Sequence, residues 1–304
     1  MRVRVIVIAG PTCVGKTKLA IRLAEEQGGE IVSADSMQVY RYMDIGTAKP
    51  TAEEQRRVTH HLIDVVDPDE DFNAAIYRDM AAGVIDRLEG EGRRIFVVGG
   101  TGLYLQALLG GLLQGPGADK DLRARYRDVA ERNGTGYLYG LLQEKDAAAA
   151  RKIHPHDAPR IIRALEYFDT TGASISRERE RHGFHEHRYD CLKIGLIIDR
   201  SVLYEKIEER TDRMIAAGLV GEVEELLARG YDEETKPMQT MYYRYVMEYI
   251  RGKTDMAETV RLLKRDTRRY AKRQMTWFQR DDAMLWHDPG DFEAVAKAVA
   301  NYLL

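Results

Sequence analysis

No apolar run in the 304 residues approaches the ~20 needed to cross a bilayer as a helix. Cysteine is almost missing. Cys13 and Cys191 stand far apart with no partners at zinc-ligand spacing, which argues against a disulfide framework and a zinc ribbon. The chain has no surplus of positive charge, its formal net charge being −3, so any surface for nucleic acid has to be local. Internal repeats and low-complexity tails are absent as well. The opening stretch MRVRVIVIAGPT has too short an apolar part for a secretory signal and runs too soon into a glycine-rich loop; it reads as a first β-strand. These absences predict a soluble, cytoplasmic protein with reduced thiols and no membrane segment.

What is present is ordinary for a globular chain, with 31% charged and 44% apolar residues. The length suits about two domains of ~150 residues, or one α/β domain carrying an insertion. Apolar runs ending in Gly or Asp (VRVIVIAG, EIVSAD, HHLIDVVD, RIFVVGG) alternate with helical patterns such as KTKLAIRLAEEQ and AAIYRDMAAGVIDRLEGEG. Continuous Val/Ile runs between helices predict parallel strands buried on both faces, hence an α/β fold with a doubly wound sheet flanked by helices. Gly110, Gly111, Gly115, Pro116 and Gly117 interrupt this pattern. From Asp119 to His187 the sequence is helical and strongly charged, with no buried-strand run. The pattern therefore predicts a core of residues 1–118 and 188–304 and a helical insertion of residues 119–187. In the second part of the core, the strand CLKIGLIID is followed by helices, a short strand AMLWHD and the closing helix DFEAVAKAVANYL.

Behind the first strand stands GPTCVGKT, formed by Gly10, Pro11, Thr12, Cys13, Val14, Gly15, Lys16 and Thr17. The two glycines permit a backbone that turns several N–H groups inward, Lys16 adds a point cation, and the Thr17 hydroxyl suits Mg²⁺. A strand before it and a helix after it are the context this phosphate-binding loop requires. The loop specifies a diphosphate and magnesium without specifying a nucleotide. An ATPase also needs an acid at the end of a hydrophobic strand, and RIFVVGG ends instead in Gly99 and Gly100. Asp64 after HHLI can serve a metal, and Asp35 after EIVSA can serve metal or chemistry.

Taken together, GPTCVGKT, SADSMQVYRYMDIGTAKP, HHLIDVVDPDEDF, VVGGTGLYLQALL and KIHPHDAPRIIRALE resemble the bacterial tRNA dimethylallyltransferases, from Val5 to about Arg280. The resemblance implies a P-loop core and transfer of a dimethylallyl group from dimethylallyl diphosphate to N6 of the adenosine 3′ of the anticodon, position 37, in tRNAs reading codons that start with U. Diphosphate is released, and a monomer with Mg²⁺ as cofactor is usual. Asp35 matches the catalytic aspartate, and Thr101 a position near the reacting end of the diphosphate. Lys16 and Thr17 face the leaving group, Thr17 with the metal. The same resemblance places tRNA contacts at Asp35, Ser36, Met37, Gln38, Thr101, Arg123, Pro159, Arg160, Ile161, Ile162 and Arg163. A carboxylate suits the chemistry, because the N6 lone pair is delocalised and attack is helped by taking up one of its hydrogens.

Each assignment has a plainer reading beside it: Asp35 as a metal ligand only, Thr101 as a helix N-cap, Arg160 and Arg163 as a solvated, ion-paired helix face. The helix RLLKRDTRRYAKRQMTWFQR mixes cations with Tyr270, Trp277 and Phe278. It reads equally as an RNA-binding surface and as an ordinary amphipathic helix, and with the insertion it can form two jaws around an anticodon stem-loop. His182, His185 and His187 lie close together but lack cysteine or carboxylate partners at recognisable spacing, which argues against a metal site, and His60, His61 and His154 read as structural. Tyr42 and Tyr242 stand where the family has glycine; a positive φ at either would place a bulky side chain under strain. A small-molecule or nucleoside kinase using ATP in the same loop is the alternative enzyme class, and an RNA-binding module without catalysis is a third.

Overall fold

The computed structural model describes residues 2–113, 115–184 and 186–304. The chain runs β1 (Arg4–Ala9), α1 (Lys16–Gln27), β2 (Gly29–Ser33), α2 (Ala52–Arg57), β3 (His60–His61), α3 (Ala74–Gly90), β4 (Arg94–Gly99) and α4 (Gly102–Gly110). Five helices follow: α5 (Lys120–Asn133), α6 (Thr135–Lys145), α7 (Ala147–Ala150), α8 (Ala158–Thr171) and α9 (Ile175–His182). Then come β5 (Asp190–Leu196), α10 (Arg200–Ala216), α11 (Leu219–Ala228), α12 (Met241–Ile250), α13 (Met256–Phe278), β6 (Leu285–His287) and α14 (Phe292–Leu303).

The strands form one parallel sheet in the order β3-β2-β4-β1-β5-β6. Residues 5 to 9 of β1 are buried throughout, as are residues 95 to 99 of β4, which is why both read as unbroken apolar runs. One cluster of apolar side chains (Val5, Val7, Val97, Tyr77, Leu263) packs on one face and a second (Ile6, Ile8, Phe96, Leu23, Val295) on the other. Leaving β1, the chain goes to β2 on one side and later returns to β5 on the other. The sheet therefore has its switch point at β1, and the crevice beyond the strands' carboxyl ends is where α/β folds bind ligands. The expected strand HHLIDVVD shrinks to His60–His61. Leu62 and Asp64 have φ of 62° and 54°, which breaks the pleat before Val66 makes an isolated bridge to Tyr40.

Two compact units result, residues 1–109 with 187–304 and residues 110–186. The first boundary lies at 109/110, not at the expected 118/119. The glycine-rich stretch packs within the helical unit: a Cβ on Gly110 would meet the Phe184 carbonyl oxygen at 2.5 Å, and a Cβ on Gly115 the Tyr167 ring at 2.8 Å. The helical unit has its own core of Tyr126, Leu138, Leu142, Ile161, Ile162 and Leu165. At its centre Glu166, fully buried, accepts from Arg123 Nε (2.9 Å) and Nη2 (3.0 Å), Arg163 Nη1 (2.6 Å) and the Asp119 amide (2.7 Å). No helix among the described residues is long and apolar enough to cross a membrane.

Candidate active site

Three strand ends supply the site in the sheet-containing unit. The loop after β1 turns through Gly10 (φ 147°), Cys13 (φ 66°) and Gly15 (φ 105°) before α1 begins at Lys16. A Cβ at Gly10 would lie 2.8 Å from the Leu196 carbonyl oxygen, so only glycine lets the loop sit this close to β5. The Lys16 ammonium donates to the carbonyls of Gly10 (3.0 Å) and Pro11 (2.8 Å). Burial pulls it down to about 8, against the Asp35 carboxylate, which raises it. Val14 is buried and anchors the loop in the core; Thr12, Cys13 and Thr17 are half-buried.

Beyond β2, Asp35 Oδ1 accepts from the amides of Met37 (2.9 Å) and Gln38 (3.4 Å). This turn fixes one carboxylate oxygen and leaves Oδ2 to take a hydrogen from a ligand. The β4 end explains why glycine replaces the strand-end acid: a Cβ on Gly99 would lie 2.1 Å from the Ala34 carbonyl oxygen. The Gly99–Gly100 pair thus lets the two strand ends close on each other, and the Thr101 amide donates to Ala34 O at 3.1 Å. The Thr101 hydroxyl is not turned into its own helix as a cap. Its Oγ1 accepts from the Ser36 amide at 3.0 Å and donates to Ser36 Oγ at 3.3 Å. Gln38 is committed to the scaffold, accepting from Ser33 Oγ (3.1 Å) and donating to the Ala48 carbonyl (3.2 Å). Met37 is half-buried against the core.

Residues without a motif complete the site. Buried Gln274 of α13 accepts from the Thr12 amide and donates to the Gly100 carbonyl, both at 2.9 Å, tying the P-loop to the turn before Thr101. Glu222 of α11 accepts from three successive amides, Asp44 (2.8 Å), Ile45 (2.6 Å) and Gly46 (2.9 Å), and from the Tyr243 hydroxyl (2.8 Å), so it holds the DIGTAKP segment. Arg210 of α10 has a buried Nε with no partner and, among the described residues, no carboxylate at ion-pair distance. Burial pulls its guanidinium down, and the Cys13 thiol, the Tyr242 hydroxyl and the Asp35 carboxylate outweigh this and raise it. Its only sequence signal is an arginine in an ordinary amphipathic helix.

Other assignments change in the folded chain. Asp64 is paired with the Lys49 ammonium, which also meets Asp44 and the Tyr40 carbonyl, so it belongs to a structural clamp and not to a metal. Thr17 lines, with Ser33, Gln38 and His60, a cavity of about 20 Å³. The Thr17 hydroxyl has no partner among the described residues, a fit for one Mg²⁺ oxygen ligand with the others coming from diphosphate and water. Ile161 and Ile162 are 0% and 8% exposed, so their side chains pack the helical core and do not reach the surface beside Pro159 and Arg160. Pro159, Arg160 and part of Arg163 are exposed, while Arg123 and Arg163 are pinned to Glu166. Arg160 lies 3.4 Å from Asp157. His185 of the HGFHEHR stretch lies outside the described residues.

Along α13 the cations divide. Arg261, Lys264, Arg265, Arg268 and Arg269 are paired to Glu258, Asp212, Asp266, Glu208 and Asp266. Lys272, Arg273 and Arg280 are exposed and have no ion pair among the described residues. Among them sits Trp277, 38% exposed, against which a Cβ on Gly102 would press at 2.3 Å. Phe278 is buried.

The IPP transferase family profile matches residues 38–281. A tRNA dimethylallyltransferase 2 of Syntrophus aciditrophicus is 53% identical over 99% of this chain and 96% of its own length. A tRNA dimethylallyltransferase of Geobacter metallireducens is 47% identical over 99% and 98%. Among solved structures, the tRNA isopentenylpyrophosphate transferase of Bacillus halodurans superposes with a TM-score of 0.74 at 39% identity, covering 99% of this chain and 97% of its own. A eukaryotic dimethylallyltransferase acting on tRNA gives 0.78 at 28% identity, over 98% and 77%. With the family profile matched over residues 38–281 and relatives near 50% identical along nearly its whole length, the chain belongs to the IPP transferase family.

Proposed function

We propose that the protein transfers a dimethylallyl group from dimethylallyl diphosphate to N6 of the adenosine 3′ of the anticodon in tRNA, releasing diphosphate. The observation that carries this reading is the convergence of a phosphate-binding loop, a carboxylate with one free oxygen and the Thr101–Ser36 hydroxyl pair at neighbouring strand ends. Asp35 Oδ2 takes a hydrogen from N6 as nitrogen attacks the allylic carbon. As the C–O bond breaks, charge gathers on the diphosphate, where the P-loop amides, Lys16 and Arg210 stabilise it. The Thr17 hydroxyl would hold Mg²⁺, which would supply further charge neutralisation there. Thr101 positions the loop that carries Asp35 and lies at the reacting end.

RNA binding draws on two local basic surfaces, each within its own unit. One is Lys272, Arg273 and Arg280, which have no ion pair among the described residues, around Trp277, a mixture suited to phosphates and a stacked base. The other is Pro159, Arg160 and Arg163 with Arg179, whose guanidinium is pulled down by burial and by the charges of Arg163 and Arg160. A tRNA substrate and two free cysteines suit the cytoplasm. The test is Asp35→Ala: transfer is lost while dimethylallyl diphosphate still binds, whereas turnover near the wild-type rate removes Asp35 from the mechanism.

A further inference from the structure

Arg210 is a half-buried cation whose Nε is buried without a partner, and among the described residues no carboxylate lies at ion-pair distance from it. Its neighbour in α10, Thr211, is fully buried and donates its hydroxyl hydrogen to the Ile207 carbonyl at 2.9 Å. Thr211 Oγ1 lies 3.3 Å from the Tyr242 hydroxyl of α12, and Thr267 of α13 donates to that same hydroxyl at 3.1 Å. Thr267 and Tyr242 are 1% and 6% exposed. The hydrogens can be assigned by elimination. Thr211 has spent its own on Ile207, so the tyrosine donates to Thr211 and accepts from Thr267. One lone pair on the phenol oxygen remains for an N–H of Arg210. Three helices thus meet at a hydroxyl cluster with one acceptor site left over beside a guanidinium.

A carboxylate in that place would orient Arg210 equally well and cancel its charge. A neutral phenol orients it and leaves the charge for an anion. We propose that Tyr242 is a positioning residue for the diphosphate, its hydroxyl, fixed by Thr211 and Thr267, aiming the Arg210 guanidinium at the P-loop without neutralising it. This rests on the reading of the loop as a diphosphate site. It also gives Tyr242 a role that a glycine at this position could not have.

The test is a double-mutant cycle read by calorimetric binding of inorganic pyrophosphate with Mg²⁺, alongside KM for dimethylallyl diphosphate and for an anticodon stem-loop RNA. Arg210→Ala weakens pyrophosphate binding by roughly 30-fold, the scale of losing a hydrogen bond to a charged group. Tyr242→Phe keeps the ring and weakens it by about 5-fold, with the KM for RNA unchanged. Placed on Arg210→Ala, Tyr242→Phe adds nothing. Thr267→Val mimics Tyr242→Phe, and Thr267→Ser restores wild-type binding, which keeps the test open if one variant folds poorly. Equal losses from Tyr242→Phe with and without Arg210, or none at all, overturn the positioning role. Unchanged pyrophosphate binding in Arg210→Ala overturns Arg210 as a diphosphate contact and the positioning role with it. The diphosphate reading itself falls only if Lys16→Ala also binds pyrophosphate as wild type.

Discussion

The Thr101 hydroxyl grips Ser36, accepting its amide hydrogen at 3.0 Å and donating to its Oγ at 3.3 Å. A residue at the end of β4 thereby fixes the loop at the end of β2 that bears Asp35. Thr101→Val keeps the shape and removes both bonds, leaving the Ser36 amide half-buried without its partner. The variant loses about 1–2 kcal/mol of stability to urea and about tenfold in kcat. Thr101→Ser recovers most of both. A serine variant as impaired as the valine one contradicts the hydroxyl's role.

Lys16 makes diphosphate binding pH-dependent. With the ammonium lowered to about 8 by burial, the unliganded protein carries the charge below that pH and sheds it above. Affinity for an unreactive prenyl diphosphate analogue is flat from pH 6 to 7.5 and then falls by up to about tenfold per unit, since one proton is linked to binding. Between pH 8 and the unfolded value of 10.5 the unfolded chain holds the extra proton, so unliganded stability rises with pH across that window. Titration calorimetry across this range checks the first statement, and an affinity constant to pH 9.5 contradicts it.

Glu166 is the pin of the helical unit. Burial pushes its carboxyl up, and the hydrogen bonds from Arg123 and Arg163 outweigh this and hold it below the usual range. The stabilisation is present above the unfolded value of 4.5 and is lost as pH falls through the lower folded value. Glu166→Gln leaves two guanidinium groups facing an amide and costs about 3 kcal/mol. Hydrogen exchange quickens across residues 115–184 and not in the parallel sheet; a uniform change across the chain disagrees with this account.

Tyr42 occupies left-handed backbone, φ 67°, with the Arg229 guanidinium 4.3 Å from its ring centroid. A side chain in this region costs about 1 kcal/mol relative to glycine, and the exposed cation–π contact returns about 0.5–1 kcal/mol. Tyr42→Ala keeps the strain and loses the contact, whereas Tyr42→Gly loses both. Urea titration therefore ranks the glycine variant above the alanine variant by about 1 kcal/mol. The reverse order refutes strain at this position. Tyr242 lies in the regular helix α12 and carries no such strain.

The sheet was legible because β1 and β4 are buried over all but their first residue and so spell unbroken apolar runs. The P-loop and Asp35 were legible because their chemistry is local: a loop, a turn, a strand end. Gln274, Arg210 and Glu222 were not, since each acts on backbone or charge that is remote in sequence, as in the bond from Gln274 to Thr12. The even scatter of cations along α13 concealed that Asp212 and Glu208 of α10 neutralise Lys264 and Arg268, whereas Lys272, Arg273 and Arg280 have no ion pair among the described residues. Arg123 and Arg163, expected as tRNA contacts, share a partner for a similar reason: Glu166 meets both only when α5 and α8 pack. The domain boundary slipped by nine residues because glycines that break local structure can still be held by tertiary contacts.

The most direct measurement is mass spectrometry of an anticodon stem-loop RNA with three consecutive adenosines around the target. It is incubated with the protein, Mg²⁺ and dimethylallyl diphosphate, and in parallel with ATP in place of the prenyl donor, while diphosphate release is followed. The account predicts an N6-dimethylallyl adenosine, one diphosphate per modified base, and no modification with ATP. Phosphoryl transfer from ATP, or RNA left unmodified with the prenyl donor, would contradict it.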